Sequence, residues 1–159
     1  MPISDDHLRA LGRVVVNFQS LESYISFWVL RFIGPDQAIG QMVTAQLPFG
    51  KLCVLARSLF DHKFGTTRFE VRFTELLDRS LKLEEKRNQL FHSIWLTDDA
   101  SGGVSRLKIS LRLGKGLTRS STPVTPQDIN GLADDMSKTA TALVELILEM
   151  KKDGLGIRA

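Results

Sequence analysis

Between positions 5 and 33 the apolar residues recur at intervals of three and four. Leu8, Leu11, Val15, Phe18, Ile25, Val29 and Phe32 fall on one line of a helix, and Val14, Leu21 and Trp28 widen it. A stripe of this length calls for one helix of roughly 40 Å. Such a helix has to bury its apolar face against other helices. Ser4 or Asp5 can cap its start, and Gly34-Pro35 ends it. The remaining chain supplies the partners. Positions 36–47 read as a moderately helical segment, and 49–60 as another that follows Pro48. Positions 61–68 form a polar turn. A third long helix is predicted over 69–93, with Phe73, Leu76, Leu83 and Leu90 on one line and Leu77, Leu81, Asn88 and His92 on a second. Thr125-Pro126-Gln127-Asp128 is a helix start, and the last helix runs over 126–152. The expected fold class is mainly α, an up-and-down helical bundle.

Length and composition agree with that reading. A chain of 159 residues with 43% hydrophobic and 25% charged residues is expected to fold as a single domain over 1–159 with a real core. The one cysteine, Cys53, excludes an intrachain disulfide framework and a cysteine-rich zinc site. The acidic start does not have the layout of a signal peptide. The most apolar run, 27–33, is short and contains Arg31, so no membrane span is expected and the expected localisation is cytoplasmic.

After His92 the helical period gives way to strict alternation. Leu107, Ile109, Leu111 and Leu113 alternate with Arg106, Lys108, Ser110 and Arg112. Alternation of this kind predicts a strand with an apolar inner face and a basic outer face. With the turn signal at 98–103, it gives a β-hairpin over about 95–113, inserted before the last helix. Positions 114–125 are rich in Gly, Ser and Thr and read as a flexible connection, and 153–159 as a loose tail. No acidic residue occurs from Ala100 to Gln127, so a net charge of only +3 conceals a local basic segment.

Reactive groups concentrate in one place, Arg87-Asn88-Gln89-Leu90-Phe91-His92. Asn88 and His92 are four residues apart and share a helix face. Arginine offers a permanent charge and a planar fork of donors for phosphate oxygens. Histidine moves protons near neutral pH. Asparagine can orient an imidazole or a substrate. Together these groups can cleave RNA without a metal, by attack of the 2′-hydroxyl on its own phosphate. Acid and base are both needed, and a two-fold dimer would supply a second histidine. Glu22 interrupts the apolar stripe of the first helix, either at its edge in water or facing Arg87 or His92. Neither a phosphate-binding glycine loop, a serine nucleophile elbow nor a histidine pair with metal-ligand spacing is present.

The six residues 87–92, late in a long helix, resemble the arginine, polar residue and histidine motif of the HEPN domain family. The order of helices is also similar to that of the family's α-helical bundle. The resemblance implies a metal-independent endoribonuclease that works as a homodimer, of the kind found in toxin–antitoxin and defence systems. By position, Arg87 and His92 match the catalytic pair and Asn88 the polar residue. Glu22 is similar in placement to an acidic residue that some members carry, and Ser93 stands where a glycine often follows the histidine. The resemblance implies no metal or other cofactor. The implied partners are single-stranded RNA, a second copy of the chain and an antitoxin protein, and the basic strand residues Arg106, Lys108 and Arg112 are expected to hold the RNA by phosphate contacts. Some members of the family cleave nothing, so the alternative is a non-catalytic module that binds a nucleotide, RNA or a protein. A plain helical interaction protein is the third reading.

Overall fold

The structure, a computed structural model, describes residues 3–34, 36–97, 103–112 and 116–155, and for 37 and 110–112 the description covers the backbone. The helices are α1 (Asp5–Ile33), α2 (Gln37–Thr44), α3 (Phe49–Phe64), α4 (Glu70–Phe91) and α5 (Pro126–Lys152). Between α4 and α5 lie β1 (Ile94–Thr97), β2 (Val104–Arg112) and β3 (Gly116–Pro123). The protein is thus mainly helical, with a small antiparallel sheet before the last helix.

The four longer helices form a ring in the order α1, α3, α4, α5, each packed on its two neighbours, and α2 rests on α1. Side-chain contacts fix their directions. Phe18 meets Phe49 and Phe32 meets Phe60, so α1 and α3 run the same way. Asn17 donates to the Ala133 carbonyl, and Arg13 pairs with Asp134, which sets α5 parallel to α1 together with the His7–Val124 contact. Arg72 pairs with Glu149 while Arg79 pairs with Asp135, so α4 runs against α5. Helix α2 carries the chain back along α1 before α3 begins, so the chain reverses direction at each helix.

The buried line of α1 is His7, Ala10, Val14, Phe18, Leu21, Ile25, Trp28, Val29 and Phe32. Leu8 and Val15, which spacing alone placed on the stripe, are exposed. The inward face is turned by one line because small Ala10 and hydrogen-bonded His7 let α5 and the chain before it approach closely. His7 Nε2 donates to the Val124 carbonyl at 3.0 Å, and Nδ1 lies 2.7 Å from Ser4 Oγ. One end of the bundle is filled by aromatic rings. Phe60 stacks on Phe73 with centroids 4.6 Å apart, and Trp28 and Phe32 close around Phe73. The opposite end holds Phe18, Phe49 and the last turn of α4.

Both ends of α5 are closed by local chemistry. Thr125 Oγ1 accepts from the Asp128 N–H while the Asp128 carboxylate accepts from the Thr125 N–H, a reciprocal cap. These hydrogen bonds hold the Asp128 pKa below its ordinary value. At the other end Gly154 takes φ 73°. Its N–H donates to Lys151 and that of Leu155 to Met150, with Leu155 packed on the core. Residues 156–159 of the expected loose tail lie outside the described residues.

The expected hairpin is a three-stranded sheet in the order β1-β2-β3. The third strand occupies the stretch read as a flexible connection, and its residues Gly116 to Pro123 pair in register with Arg112 to Ser105. Its side chains are exposed on both faces, so no apolar alternation marks it. The faces of β2 are also reversed from expectation. Ile94, Leu96, Leu107 and Ile109 share one face by register, and Trp95, Arg106 and Lys108 share the other. Trp95 packs against the core and its indole N–H donates to the Leu90 carbonyl at 3.2 Å. The basic face is therefore the one turned toward the helices. Ile94, Leu96 and Ile109 are 53%, 42% and 45% exposed. Alternation separates two faces but does not say which one turns inward. Here the largest ring to bury is Trp95, and it takes Arg106 and Lys108 with it.

Candidate functional site at the end of α4

Helix α4 owes its length to buried Phe73, Leu76, Leu77, Leu83 and Leu90, and it stops at His92. The His92 N–H donates to the Asn88 carbonyl at 2.9 Å, and the residue leaves helical geometry at φ −101°, ψ 16°. Ser93 Oγ donates to the Gln89 carbonyl, and β1 begins one residue later. The motif thus occupies the last turn of a helix and the step into the sheet. Its side chains point in two directions.

Arg87 turns inward. Its Cζ lies 4.8 Å from the Phe18 ring centroid and 5.5 Å from that of Phe91. A guanidinium over aromatic faces is held by charge–quadrupole attraction. Nη1 donates to Asn88 Oδ1 at 2.9 Å. Nε is buried with no hydrogen-bond partner. Among the described residues no carboxylate lies within ion-pair distance of Arg87. The fork is fixed in place and its charge is not neutralised.

Asn88 and His92 turn toward an open groove of about 400 Å³, lined also by Leu81, Glu84, Glu85, Gln89, Ser93 and Lys108. His92 is exposed. Asn88 is the link between the two parts, since it accepts from Arg87 and lines the groove with His92. Arg87 itself does not line it. The structure therefore brings Asn88, His92 and Lys108 to one groove, with Arg87 one hydrogen bond behind.

Glu84 and Glu22 near the site are half-buried, while Glu85 is exposed. Burial raises the Glu84 pKa above its ordinary 4.5, the charge of Arg87 lowers it, and that of Glu22 raises it. Cys53, buried on α3, has its thiol pushed up to about 12 by burial, with the charges of Glu84 and then Glu22 adding to the effect. Glu22 thus lies where its field reaches Glu84 and Cys53, at the seam of α1, α3 and α4. It closes no ion pair with Arg87 or His92. Gly50 on α3 comes close to this seam, and a Cβ there would sit 3.8 Å from Glu84 Oε2.

Of the three cations expected to hold RNA, Lys108 lines the groove and Arg106 lines a neighbouring cavity. The side chain of Arg112 lies outside the described residues. Sequence reasoning missed the residues that hold Arg87. Phe91 lies inside the motif, but Phe18 is on α1, and only the fold brings it under the guanidinium. Gln89, inside the motif, also lines the groove, and Lys86 lines the neighbouring cavity. Among the described residues no group of three His, Cys, Asp or Glu side chains is placed to hold a metal ion. Nor is any described helix long and apolar enough to cross a membrane.

Comparison of the chain with models of known protein families, with curated proteins and with solved structures finds no match.

Proposed function

We propose that this protein is a metal-independent endoribonuclease of the HEPN type, acting on single-stranded RNA as a homodimer in the cytoplasm. The observation that carries the reading is the state of Arg87. Its fork is clamped between Phe18 and Phe91, bears an unneutralised charge, and is tied through Asn88 to the groove that holds His92. Held one hydrogen bond behind the groove, this guanidinium acts on the charge of a pentavalent phosphorus through its field and through Asn88.

In this mechanism the RNA 2′-oxygen attacks the adjacent phosphorus and the bond from phosphorus to the 5′-oxygen breaks. One imidazole takes the 2′ proton and another gives a proton to the leaving 5′-oxygen. The products are a 2′,3′-cyclic phosphate and a free 5′-hydroxyl. Within one groove the other proton-transfer groups are Lys108 on β2 and Glu84 and Glu85 on α4. The two glutamates stand about 10–12 Å from His92 along the helix axis. In the homodimer reading the second imidazole is His92 of the other copy. Such a copy covers the exposed Ile94, Leu96 and Ile109, on the face of the sheet turned away from Lys108, together with exposed Phe91 at the end of α4. The HEPN resemblance also suggests a toxin or defence effector, with an antitoxin protein as its inhibitor.

The test is incubation of the protein with single-stranded RNA in EDTA, beside Arg87→Ala and His92→Ala. Cleavage that persists in EDTA, leaves 2′,3′-cyclic ends and falls by about 100-fold or more in each variant is the expected result. Growth arrest on expression, relieved by His92→Ala, is the companion observation in cells. RNA that is bound but never cleaved, in either setting, would leave the non-catalytic binding module as the reading of this groove.

A further inference from the structure

Beside the His92 groove lies a second and larger cavity, of about 610 Å³, between the sheet, α4 and the start of α5. Its walls include Lys86, Gln89, Arg106, Asp128 and Asp135. The two cavities share Gln89. They lie along the inward, basic face of β2, with Lys108 in one and Arg106 in the other. Alternate residues on a strand stand about 7 Å apart. That is comparable to the step between successive phosphates of an extended single strand.

The charges in this cavity are unevenly committed. Asp128 accepts from Thr125 in the helix cap, and Asp135 accepts from Arg79. The side chains of Lys86 and Arg106 make no hydrogen bond or ion pair among the described residues. The Arg106 Nε is enclosed without a partner, and the only other buried side-chain donor or acceptor in that state among the described residues is the Nε of Arg87. A buried donor without an acceptor is uncommon and costly. Here the two instances belong to two arginines flanking the same end of α4. Enclosure of the Arg106 stem also fixes where its fork lies, which lowers the entropy lost when an anion is gripped.

We propose that this cavity is a second phosphate-binding subsite, in which Arg106 and Lys86 hold a phosphodiester of the same RNA strand whose neighbouring phosphate lies in the His92 groove. The identity of the strand rests on the ribonuclease reading. The polar side chain of Gln89 sits between the two positions, and the strand crosses it. Asp135 is paired with Arg79, so the walls set Lys86 and Arg106 against the single unpaired charge of Asp128, an excess of one positive charge that favours an anion. The cavity volume is within the range that holds a small ligand or one nucleotide of a strand.

The probe is a short, single-stranded 2′-O-methyl RNA, which cannot be cleaved because its 2′ oxygen is blocked. Its binding is followed by fluorescence anisotropy at two salt concentrations, with a nucleoside 5′-monophosphate as competitor. Lys86→Ala changes an exposed position on α4, so it tests the cavity even if Arg106→Ala does not fold, and thermal melts decide that point. Each variant that folds should bind about tenfold or more weakly. Its salt dependence should be shallower by about one released ion. The mononucleotide should compete only at far higher concentration than the oligonucleotide. Wild-type affinity in the folded variants, or no RNA binding by the unaltered protein, overturns the proposal. So does a mononucleotide that binds as tightly as the strand. If the variants weaken binding while the unaltered protein cuts no RNA, the subsite stands and the ribonuclease reading falls. If cleavage holds while both variants bind normally, the reverse is true.

Discussion

Arg87 and Glu84 occupy the same side of one helix turn, yet they do not pair. Arg87 spends its charge on two aromatic faces, and Glu84 is left half-buried beside Glu22. That arrangement has a cost that depends on pH. Burial has raised the Glu84 pKa in the folded state above its ordinary 4.5. Below the ordinary value the carboxyl is protonated in both states, and the full stability is present. As pH rises through the raised value the folded state has to ionise a partly desolvated group, and stability is lost. Glu84→Gln removes that ionisation. Its stability relative to the unaltered protein should therefore increase from about pH 4 to about pH 7. Urea unfolding midpoints at the two values measure this, and an equal difference at both would show that Glu84 is not desolvated. The residue types of the site were legible from spacing alone, because Asn88 and His92 fall four apart on a helix. The clamp on Arg87 was not, because Phe18 belongs to another helix and reads there as ordinary core.

At the level of elements, the long helices were readable because each carries an apolar line and a chemical stop. Thr125 and Pro126 open α5, and Gly34 closes α1. The sheet was only half readable. β2 announces itself by alternation, but β3 has no buried side chain to mark it, and its Ser and Thr residues look like a linker. Which face of β2 turns inward depends on Trp95, a single residue on the neighbouring strand. Trp95 anchors the sheet to the bundle through its ring and its bond to Leu90. Trp95→Ala should cost about 2 kcal/mol, since the ring is only part-buried. Trp95→Phe keeps the packing, loses the hydrogen bond, and should cost about 1 kcal/mol. Hydrogen exchange should locate the effect, with the β1 and β2 amides losing more protection in Trp95→Ala than those of α1 or α5. Uniform loss across the helices would mean that Trp95 supports the whole core rather than the attachment of the sheet.

For the molecule as a whole, the inward turn of the basic face has a consequence on the other side. Ile94, Leu96 and Ile109 are left on the outer face of the sheet, with Leu117 of β3 beyond them and Phe91 at the end of α4. The helical core is complete without these residues, since Leu21, Ile25, Trp28, Met136, Leu143 and Leu146 are fully enclosed within the bundle. The outer face therefore takes no part in the helical core, and several large apolar side chains on one face are more than scattered surface exposure. An isologous contact through it would bring a second copy of the chain, and with it the second His92 that acid and base catalysis by one motif requires. The expected outcome is a dimer at micromolar concentration by sedimentation or light scattering. Leu96→Lys and Ile109→Lys replace exposed side chains, so they should leave the melting temperature nearly unchanged while weakening the dimer by about tenfold or more. Cleavage by these variants should fall at low protein concentration and recover as concentration rises, because the chemistry is intact and only assembly is impaired. A protein that remains monomeric at tens of micromolar and still cleaves RNA would place both proton transfers in one chain. The outer face of the sheet would then have no part in catalysis.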